Sequence, residues 1–185
     1  MRIIGGKFKG KKILSPINLQ TRPLKDLVKE SIFNIINHSP KLLINIQNST
    51  ILDLFSGVGS FGLECLSRGS KHVTFFENYD GVLPILKKNL ASLKLNSKYE
   101  IIEKDLFNED SFAHLSKKFD IIFIDPPYKE KKINIIIDSI LEKKLLNQNG
   151  ILIIHRHKKD NIDITEKLRI IENRTYGISK ILFGN

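Results

Sequence analysis

Short apolar runs alternate with helix-like segments from residue 49 onward. The apolar runs are predicted strands at Ile51 to Phe55, His72 to Glu77, Tyr99 to Glu103, Phe119 to Ile124 and Gly150 to His155. The last two runs are apolar enough to lie in the centre of a sheet with both faces covered. Strands that alternate with helices indicate parallel strands joined by crossover connections, so the chain is predicted to be an α/β protein.

The segments between the strands supply the helices. Apolar residues at helical spacing predict helices at 23–37, Phe61 to Arg68, Tyr79 to Leu95 and Ile133 to Leu146. Thr21 is the predicted N-cap of the first helix. The tail from Leu168 to Phe183 is predicted to add two strands around Tyr176 and Gly177. The sequence therefore predicts a Rossmann-like, mostly parallel seven-stranded sheet with helices on both faces.

Length and charge limit the domain count and the class of partner. A chain of 185 residues is predicted to form one domain, with residues 1–37 as a basic hairpin and helix extension and residues 49–185 as the main sheet. Thirty Lys and Arg residues against twenty Asp and Glu residues give a formal net charge of +10. This excess favours an anionic polymer as partner, although a generally basic proteome would produce the same excess.

Cysteine content and hydropathy indicate the compartment. Cys65 is the only cysteine, which excludes an internal disulfide and a multi-cysteine metal site. No stretch approaches the roughly 20 apolar residues that a membrane span requires, so a cytoplasmic protein without membrane attachment is expected. His155 and His157 are expected to face the surface or RNA, because no third ligand accompanies them to make a metal site.

The amino-terminal residues read as a short basic hairpin with little core of its own. Its strands are predicted at Arg2 to Ile4 and Lys11 to Leu14, with a turn at Gly5 and Gly6. The basic residues that precede residue 30, with Asp26 as the only acid, are Arg2, Lys7, Lys9, Lys11, Lys12, Arg22, Lys25 and Lys29. They are predicted to grip a phosphate backbone, and the alternative is a solvated charged surface.

A glycine-rich loop follows the first predicted strand and opens the next helix. The loop runs Gly57-Val58-Gly59-Ser60-Phe61-Gly62, and Glu77 stands twenty positions after Gly57 at the end of the second strand. In such folds the glycines let the backbone approach a nucleotide ligand, and the acid accepts hydrogen bonds from ribose hydroxyls. NAD and S-adenosylmethionine both fit this pattern.

Two further acids bear on the choice between these ligands. Asp53 lies on the strand before the loop, where a carboxylate would repel a pyrophosphate but would suit the ammonium group of a methionyl moiety. Asp105, just past the third strand, is placed to accept a hydrogen bond from an adenine amino group. Either acid could instead be a solvated strand end. Phe55, Asn78 and Leu106 complete the predicted cofactor contacts.

An acid, two prolines and an aromatic residue follow the strand Phe119 to Ile124. Proline lacks a backbone donor, so the carbonyls of Pro126 and Pro127 are predicted to be free acceptors beside the Asp125 carboxylate. Tyr128 would supply a stacking face. The tetrad is therefore predicted to hold a planar amino group, and the alternative is an ordinary turn at a strand end.

The order of these motifs resembles that of class I S-adenosylmethionine-dependent amino-methyltransferases. The residues that carry the resemblance are Asp53-Leu54-Phe55-Ser56-Gly57-Val58-Gly59, Glu77 and Asp125-Pro126-Pro127-Tyr128. The amino-terminal segment is further similar to the RsmD group. The similar segments are Met1-Arg2-Ile3-Ile4-Gly5-Gly6-Lys7, Thr21-Arg22-Pro23 and Val28-Lys29-Glu30-Ser31-Ile32-Phe33-Asn34.

The RsmD resemblance implies a substrate, a cofactor and roles for the site residues. It implies methylation of N2 of a guanine in 16S ribosomal RNA, at the position named 966, with S-adenosylmethionine as the methyl donor and no metal. The partner would be 16S rRNA, the small ribosomal subunit or an assembly intermediate, with no obligate protein partner. Gly57, Gly59 and Glu77 would line the cofactor site, Asp125 and Tyr128 the base site.

Other functions stay open at the level of the sequence. The tetrad would serve an adenine or cytosine amino group as well as guanine, although the chain has no separate region for DNA target recognition. A non-catalytic RNA-binding assembly factor could retain the fold, and an NAD-linked Rossmann protein would share the loop. Lys129, directly after the tetrad, could hold a phosphate that flanks the target base.

Overall fold

The computed structural model describes residues 1–15, 24–108, 110–160 and 164–185. In this part of the chain the strands are β1 (Thr50–Leu54), β2 (His72–Phe76), β3 (Tyr99–Ile102), β4 (Phe119–Ile124), β5 (Leu146–His157), β6 (Ile170–Tyr176) and β7 (Ser179–Gly184). They form one sheet in the order β3-β2-β1-β4-β5-β7-β6. The first five strands pair in parallel, and β7 pairs antiparallel with β5 and β6. The predicted mostly parallel seven-stranded sheet is confirmed.

Helices cover both faces of this sheet. They are α1 (Asp26–His38), α2 (Ser60–Ser67), α3 (Leu83–Ala91) and α4 (Ile133–Glu142), with a 3-10 turn at Asn96–Lys98. Because side chains alternate along a strand, Ile121 and Phe123 of β4 pack on the face with α1, α2 and α3, while Ile122 and Ile124 pack on the face with α4. Two apolar cores therefore enclose the sheet, as the continuous apolar runs predicted.

Several element boundaries differ from the prediction, among them the end of α3, which lies at Ala91 and not at Leu95. The helix predicted from Tyr79 begins only at Leu83, because residues 79–82 form a turn before it. The helix predicted to reach Leu146 ends at Glu142, and Lys144 has a left-handed φ of 50° that leads into β5. β5 begins four residues before Gly150, and its register against β4 shifts near Phe119. The predicted start of the first helix, including Thr21, lies outside the described residues.

The amino-terminal segment packs against α2 and contributes to the core, which corrects the expectation of little core. Ile3 and Ile13 are 1% and 3% exposed and join the core on the α1 to α3 face. A single antiparallel bridge links Arg2 with Lys12, so the segment is not a regular hairpin. A Cβ on Gly6 would overlap the Ser67 carbonyl, which explains why the turn against α2 requires glycine.

Cys65 lies within the buried core of α2, as expected for a small apolar residue. Among the helices in the described ranges, none combines the length and the apolar character needed to cross a bilayer.

Candidate active site

A cleft of about 810 Å³ opens at the carboxyl ends of β1, β2 and β4. This edge is where the loops that follow parallel strands converge, and ligands of open α/β sheets bind there. Its lining residues come from the glycine loop, the ends of these strands, the segment after β3 and the loop after β4. The glycine loop and the tetrad that begins at Asp125, which the sequence singled out separately, therefore line the same cleft.

The two glycines of the loop have different surroundings. Gly57 lines the cleft with a φ of +55°, and a Cβ placed on it would meet no atom within 4 Å. Gly59, with a φ of +84°, faces inward, and its Cβ would lie 2.6 Å from Leu86 Cδ1 of α3. Gly59 thus allows close packing between the loop and α3, and its predicted contact with the cofactor stays a prediction.

Glu77 fastens the glycine loop to the end of β2. Its Oε2 accepts a hydrogen bond from the Gly57 amide at 2.7 Å, and its Oε1 accepts from the amides of Asn78 and Tyr79 at 3.0 and 2.9 Å. Three N–H groups therefore hold one carboxylate in a fixed orientation at the cleft wall. Asn78 and Tyr79 also line the cleft.

Asp53 is a buried carboxyl group at the floor of the cleft. It is 1% exposed, and its Oδ2 accepts a hydrogen bond from the Gly62 amide at 3.0 Å. Burial raises the pKa of Asp53 well above its ordinary value, the Gly62 hydrogen bond opposes the rise, and the negative charges of Asp125 and Glu77 add to it. A cationic group in the cleft would relieve this cost, so the predicted contact with an ammonium group stays a prediction that the site favours.

The segment after β3 forms the remaining wall of the predicted cofactor half. Asp105 is exposed, lines the cleft and accepts a hydrogen bond from the Phe107 amide at 2.9 Å. Leu106 is buried beside it. The Phe107 ring lies 6.0 Å from the ring of Phe55, which has a left-handed φ of 56°. An aromatic pair and an acid therefore face the cleft on this side, and their contacts with a ligand stay predictions.

The tetrad after β4 lines the opposite side of the cleft. Asp125 is partly exposed there, Pro126 is buried and Tyr128 is half-buried. The Pro127 carbonyl accepts hydrogen bonds from the Glu130 amide at 2.8 Å and from Arg156 at 3.4 Å. The prediction of two free proline carbonyls is therefore wrong for Pro127. Within the described residues, no group donates a hydrogen bond to the Pro126 carbonyl.

His155 is a site residue that the sequence reasoning missed. It is 6% exposed, and its Nδ1 lies 2.7 Å from Asp125 Oδ1, while its Nε2 lies 2.9 Å from Ser179 Oγ. The expectation that His155 lies at the surface is wrong, because the side chain is buried where it lines the cleft. Its ring also lies edge-on to Tyr128, at 6.0 Å between centroids. The available signal was its position at the carboxyl end of a central strand, level with Asp125.

Arg156 is a second missed residue, buried at 3% exposure. Its guanidinium donates hydrogen bonds to the carbonyls of Pro127, Tyr128 and Glu130 at 3.4, 3.3 and 2.8 Å, and it pairs with Asp160. A planar fork with several donors is suited to binding several carbonyls at once. Arg156 thus fixes the backbone that carries the tetrad.

The predicted RNA-binding residues lie at different distances from the cleft. Five of them are exposed, namely Arg2, Lys7, Lys9, Lys12 and Lys129. Lys11 is half-buried, and Arg22 lies outside the described residues. Lys129 lines the cleft. The Lys7 amide bonds to Ser67 at the end of α2, seven residues or about 10 Å from the cleft-lining Ser60.

Lys29 does not belong to this basic surface. It is fully buried, and its Nζ donates a hydrogen bond to the Arg2 carbonyl at 2.6 Å. It also lies 3.7 Å from a carboxylate oxygen of Glu64, which accepts a hydrogen bond from the Ile4 amide. Burial lowers the pKa of Lys29, and the charges of Glu64 and Asp26 oppose that effect. Lys29 therefore anchors the amino-terminal segment and is unavailable to RNA.

Comparison with known proteins shows to which family the whole chain is related. The profile of a family described as conserved hypothetical protein 95 matches residues 1–185. Ribosomal RNA small subunit methyltransferase D of Haemophilus influenzae is 33% identical over 183 residues, which cover 96% of this chain and 90% of that protein. The chain belongs to the RsmD family. The RsmD resemblance seen in the sequence motifs is thereby confirmed.

Two further relatives match the RsmD-family chain over nearly its full length. YlbH of Bacillus subtilis is 32% identical over 186 residues, which cover 98% of this chain and 96% of YlbH. The solved structure of HI0767 from Haemophilus influenzae is 30% identical, with a TM-score of 0.76 and coverage of 100% of this chain and 97% of that chain. The fold is the Rossmann-like fold of class I methyltransferases, as predicted.

Proposed function

We propose that this protein transfers a methyl group from S-adenosylmethionine to N2 of a guanine in 16S ribosomal RNA. The observation that carries the proposal is the single cleft in which the Glu77-braced glycine loop faces the tetrad that begins at Asp125. The name of the Haemophilus influenzae relative, which refers to the small subunit of the ribosome, supports the choice of rRNA. On this proposal the chain is a single-domain enzyme that acts in the cytoplasm.

The residues present fit S-adenosylmethionine. The cleft volume of about 810 Å³ lies within the usual range of small-molecule sites, and Gly57 leaves its cleft side open. Glu77 would accept from the ribose hydroxyls, Asp53 would pair with the ammonium group and Asp105 would accept from the adenine amino group. When bound, S-adenosylmethionine supplies an electrophilic methyl group.

The opposite wall is suited to an exocyclic amino group. Such a nitrogen is a poor nucleophile because its lone pair is conjugated with the ring of the base. Hydrogen bonds from the amino group to the Asp125 carboxylate and the Pro126 carbonyl would turn the lone pair toward the methyl group and stabilise the positive charge that develops on nitrogen. Tyr128 would stack on the base. The Asp125 carboxylate is also placed to take the proton that the nitrogen releases.

The cations around the cleft are suited to the RNA backbone. Lys25, Lys104 and Lys129 are exposed and line the cleft, and they come from the start of α1, the segment after β3 and the loop after β4. A guanine must leave its stack to enter the cleft, and cations at the rim would bind the phosphates on either side of it. Exposed lysines of the amino-terminal segment, such as Lys7 and Lys9, would contact RNA farther from the target base.

A transfer assay with nucleoside identification tests this function. Small ribosomal subunits that lack the modification are incubated with purified protein and methyl-labelled S-adenosylmethionine, and the RNA is digested for mass spectrometry. N2-methylguanosine is the expected product. Detection of N6-methyladenosine or N4-methylcytidine would show that the target base is adenine or cytosine, and it would overturn the choice of guanine. Absence of transfer to any RNA, with normal cofactor binding in calorimetry, would indicate a non-catalytic binding protein and overturn the proposal.

A further inference from the structure

His155 and Asp125 are brought together by the pairing of β4 with β5. The last residue pair of these parallel strands is Ile124 with Ile154, so the next residues of the two strands lie side by side at the cleft. β7 runs antiparallel on the other side of β5 and places Ser179 against the same imidazole. Three strands therefore converge on a chain of contacts that runs from Asp125 through His155 to Ser179.

The two nitrogens of His155 have defined and different partners. Nδ1 lies 2.7 Å from Asp125 Oδ1, and Nε2 lies 2.9 Å from Ser179 Oγ. A serine hydroxyl is both a donor and an acceptor, whereas a carboxylate only accepts. Both contacts are satisfied when the Ser179 hydroxyl donates to Nε2 and the Nδ1–H donates to Asp125. The carboxylate, which only accepts, thus selects the tautomer that carries its proton on Nδ1, and the serine hydroxyl satisfies Nε2.

This contact engages only one oxygen of Asp125. Within the described part of the chain, no residue donates a hydrogen bond to Asp125 Oδ2, and the side chain is 20% exposed toward the cleft. Fixing Oδ1 fixes the plane of the carboxylate and therefore the direction of Oδ2. The same imidazole packs edge-on against Tyr128, so one buried ring contacts the acid and the aromatic residue of the tetrad.

We propose that His155 is a positioning residue that orients the Asp125 carboxylate toward the target amino group, with Ser179 holding the opposite side of the imidazole ring. This role rests on the proposed methyl transfer. His155 does not touch the base and acts through Asp125. Because the geometry of Asp125 matters during transfer, loss of the contact lowers kcat. Loss of this contact leaves cofactor binding at the Glu77 side of the cleft intact.

Two amide substitutions separate the two ring contacts. The Nδ2 of asparagine occupies a position close to that of Nδ1 of histidine, so His155→Asn retains a donor for Asp125. The Nε2 of glutamine lies one bond farther out, so His155→Gln reaches toward Ser179 and leaves Asp125 without its donor. Misplacement of a reacting group by about 1 Å is associated with a rate loss of about 100-fold. His155→Gln is expected to lower kcat by about 10–100-fold, and His155→Asn by less than about fivefold.

The measurements are kcat and KM for unmethylated small subunits, together with the calorimetric Kd for S-adenosylhomocysteine. For His155→Gln the KM and Kd are expected to stay within about threefold of wild type, and Ser179→Ala is expected to lower kcat by about 3–10-fold. Equal kcat losses in the asparagine and glutamine variants would overturn the positioning role. So would a lowered Tm with unchanged kcat, which would indicate a role in folding alone.

Nitrogen-15 NMR of the wild-type protein tests the tautomer independently of activity and of variant folding. The expected spectrum shows His155 protonated at Nδ1, with that signal displaced in Asp125→Asn. Protonation at Nε2 alone would overturn the proposal. A wild-type protein that methylates no RNA yet shows the Nδ1 proton would refute the proposed function and leave the orientation of Asp125 standing.

Discussion

The Asp53 carboxylate accepts a hydrogen bond from the Gly62 amide, with 3.0 Å between Oδ2 and N, and so joins the end of β1 to the first turn of α2. The glycine loop spans the residues between them. This contact orients the loop, but it holds a carboxyl group that is 1% exposed beside the charges of Asp125 and Glu77. The same residue therefore helps to shape the loop and is costly to ionise in the empty cleft.

Asp53→Asn is expected to make the ligand-free protein more stable than wild type, by a margin that grows as pH rises. Burial raises the pKa of Asp53 in the folded state, so the stability that the protonated form contributes is present below about pH 3.8 and is lost as pH rises through the folded pKa. Asparagine retains an acceptor for Gly62 and never ionises. The difference in unfolding free energy between Asp53→Asn and wild type should grow by up to about 1.4 kcal/mol per pH unit within that window, measured by urea unfolding.

The same substitution is expected to weaken S-adenosylmethionine binding by at least about tenfold, because a neutral amide cannot pair with an ammonium group. The matched control is Asp80→Asn, which changes an exposed carboxylate outside this network. A stability difference that stays constant from about pH 4 to pH 8 would contradict the assigned cause. Unchanged affinity would remove Asp53 from the cofactor contacts.

Glu77→Gln is expected to weaken cofactor binding by roughly 10–100-fold. The carboxylate accepts from three backbone amides, and glutamine would set its own NH₂ group against one of these donors. Hydrogen bonds to a charged group contribute about 1.5–3 kcal/mol each, which corresponds to that range. Calorimetry with S-adenosylhomocysteine measures the change. Glu103→Gln, at a half-exposed position directly after β3, is the control, and equal effects in both variants would exclude a specific role for Glu77.

Glu64→Gln is expected to destabilise the fold by about 3–5 kcal/mol, because it removes the buried charge partner of Lys29 and leaves it only the partly exposed Asp26. Glu64 also pairs with Arg68 and accepts the Ile4 amide, so the amino-terminal segment should become sensitive to limited proteolysis. Urea unfolding measures the loss. Glu166→Gln, at an exposed position, should change stability by less than about 0.5 kcal/mol. A similarly small change for Glu64→Gln would show that the buried pair contributes little.

Arg156→Lys is expected to lower kcat by roughly tenfold or more while the charge is kept. Lysine cannot reproduce the fork that binds the carbonyls of Pro127, Tyr128 and Glu130, so the tetrad would lose its fixed backbone. Arg174→Lys, at an exposed position on β6, is the matched control. Steady-state methyl transfer is the measurement, and full activity of Arg156→Lys would show that the loop holds its shape without the guanidinium.

The sequence predicted the central sheet well because its strands are buried on both faces. β4 spans Phe119–Ile124 as predicted, since an uninterrupted apolar run admits few alternatives. Gly57 and Glu77 are twenty residues apart in the sequence, but they are hydrogen-bonded because each follows one of two adjacent parallel strands. The hydrogen bond between Glu77 and Gly57 was not predicted, but it follows from the positions of both residues at the ends of adjacent parallel strands.

The role of His155 could not be read in the same way. His155 and His157 look alike at the end of a strand, and only the antiparallel pairing with β7 gives His155 a buried partner in Ser179. That pairing depends on the position of a strand more than twenty residues farther along the chain. Composition cannot distinguish a strand end that faces solvent from one that faces another strand.

Lys29 is different, because its burial had a signal in the sequence. Position 29 precedes Ile32, Phe33 and Ile36 by three, four and seven residues, which places it on the buried face of α1. Counting it with the basic residues ignored this periodicity. The lesson is that charge must be assigned to a helix face before it is assigned to a partner.

Asp125→Ala provides the most direct test of the central claim, which is that one side of the cleft binds the cofactor and the other side binds the target base. The substitution removes the acceptor for the amino group but leaves Glu77 and the glycine loop unchanged. Methyl transfer to unmethylated small subunits and calorimetric binding of S-adenosylhomocysteine are measured on the same preparation. The division predicts that transfer falls by at least about 100-fold while Kd stays within about threefold of wild type. Equal loss of transfer and binding, or transfer at the wild-type rate, would contradict it.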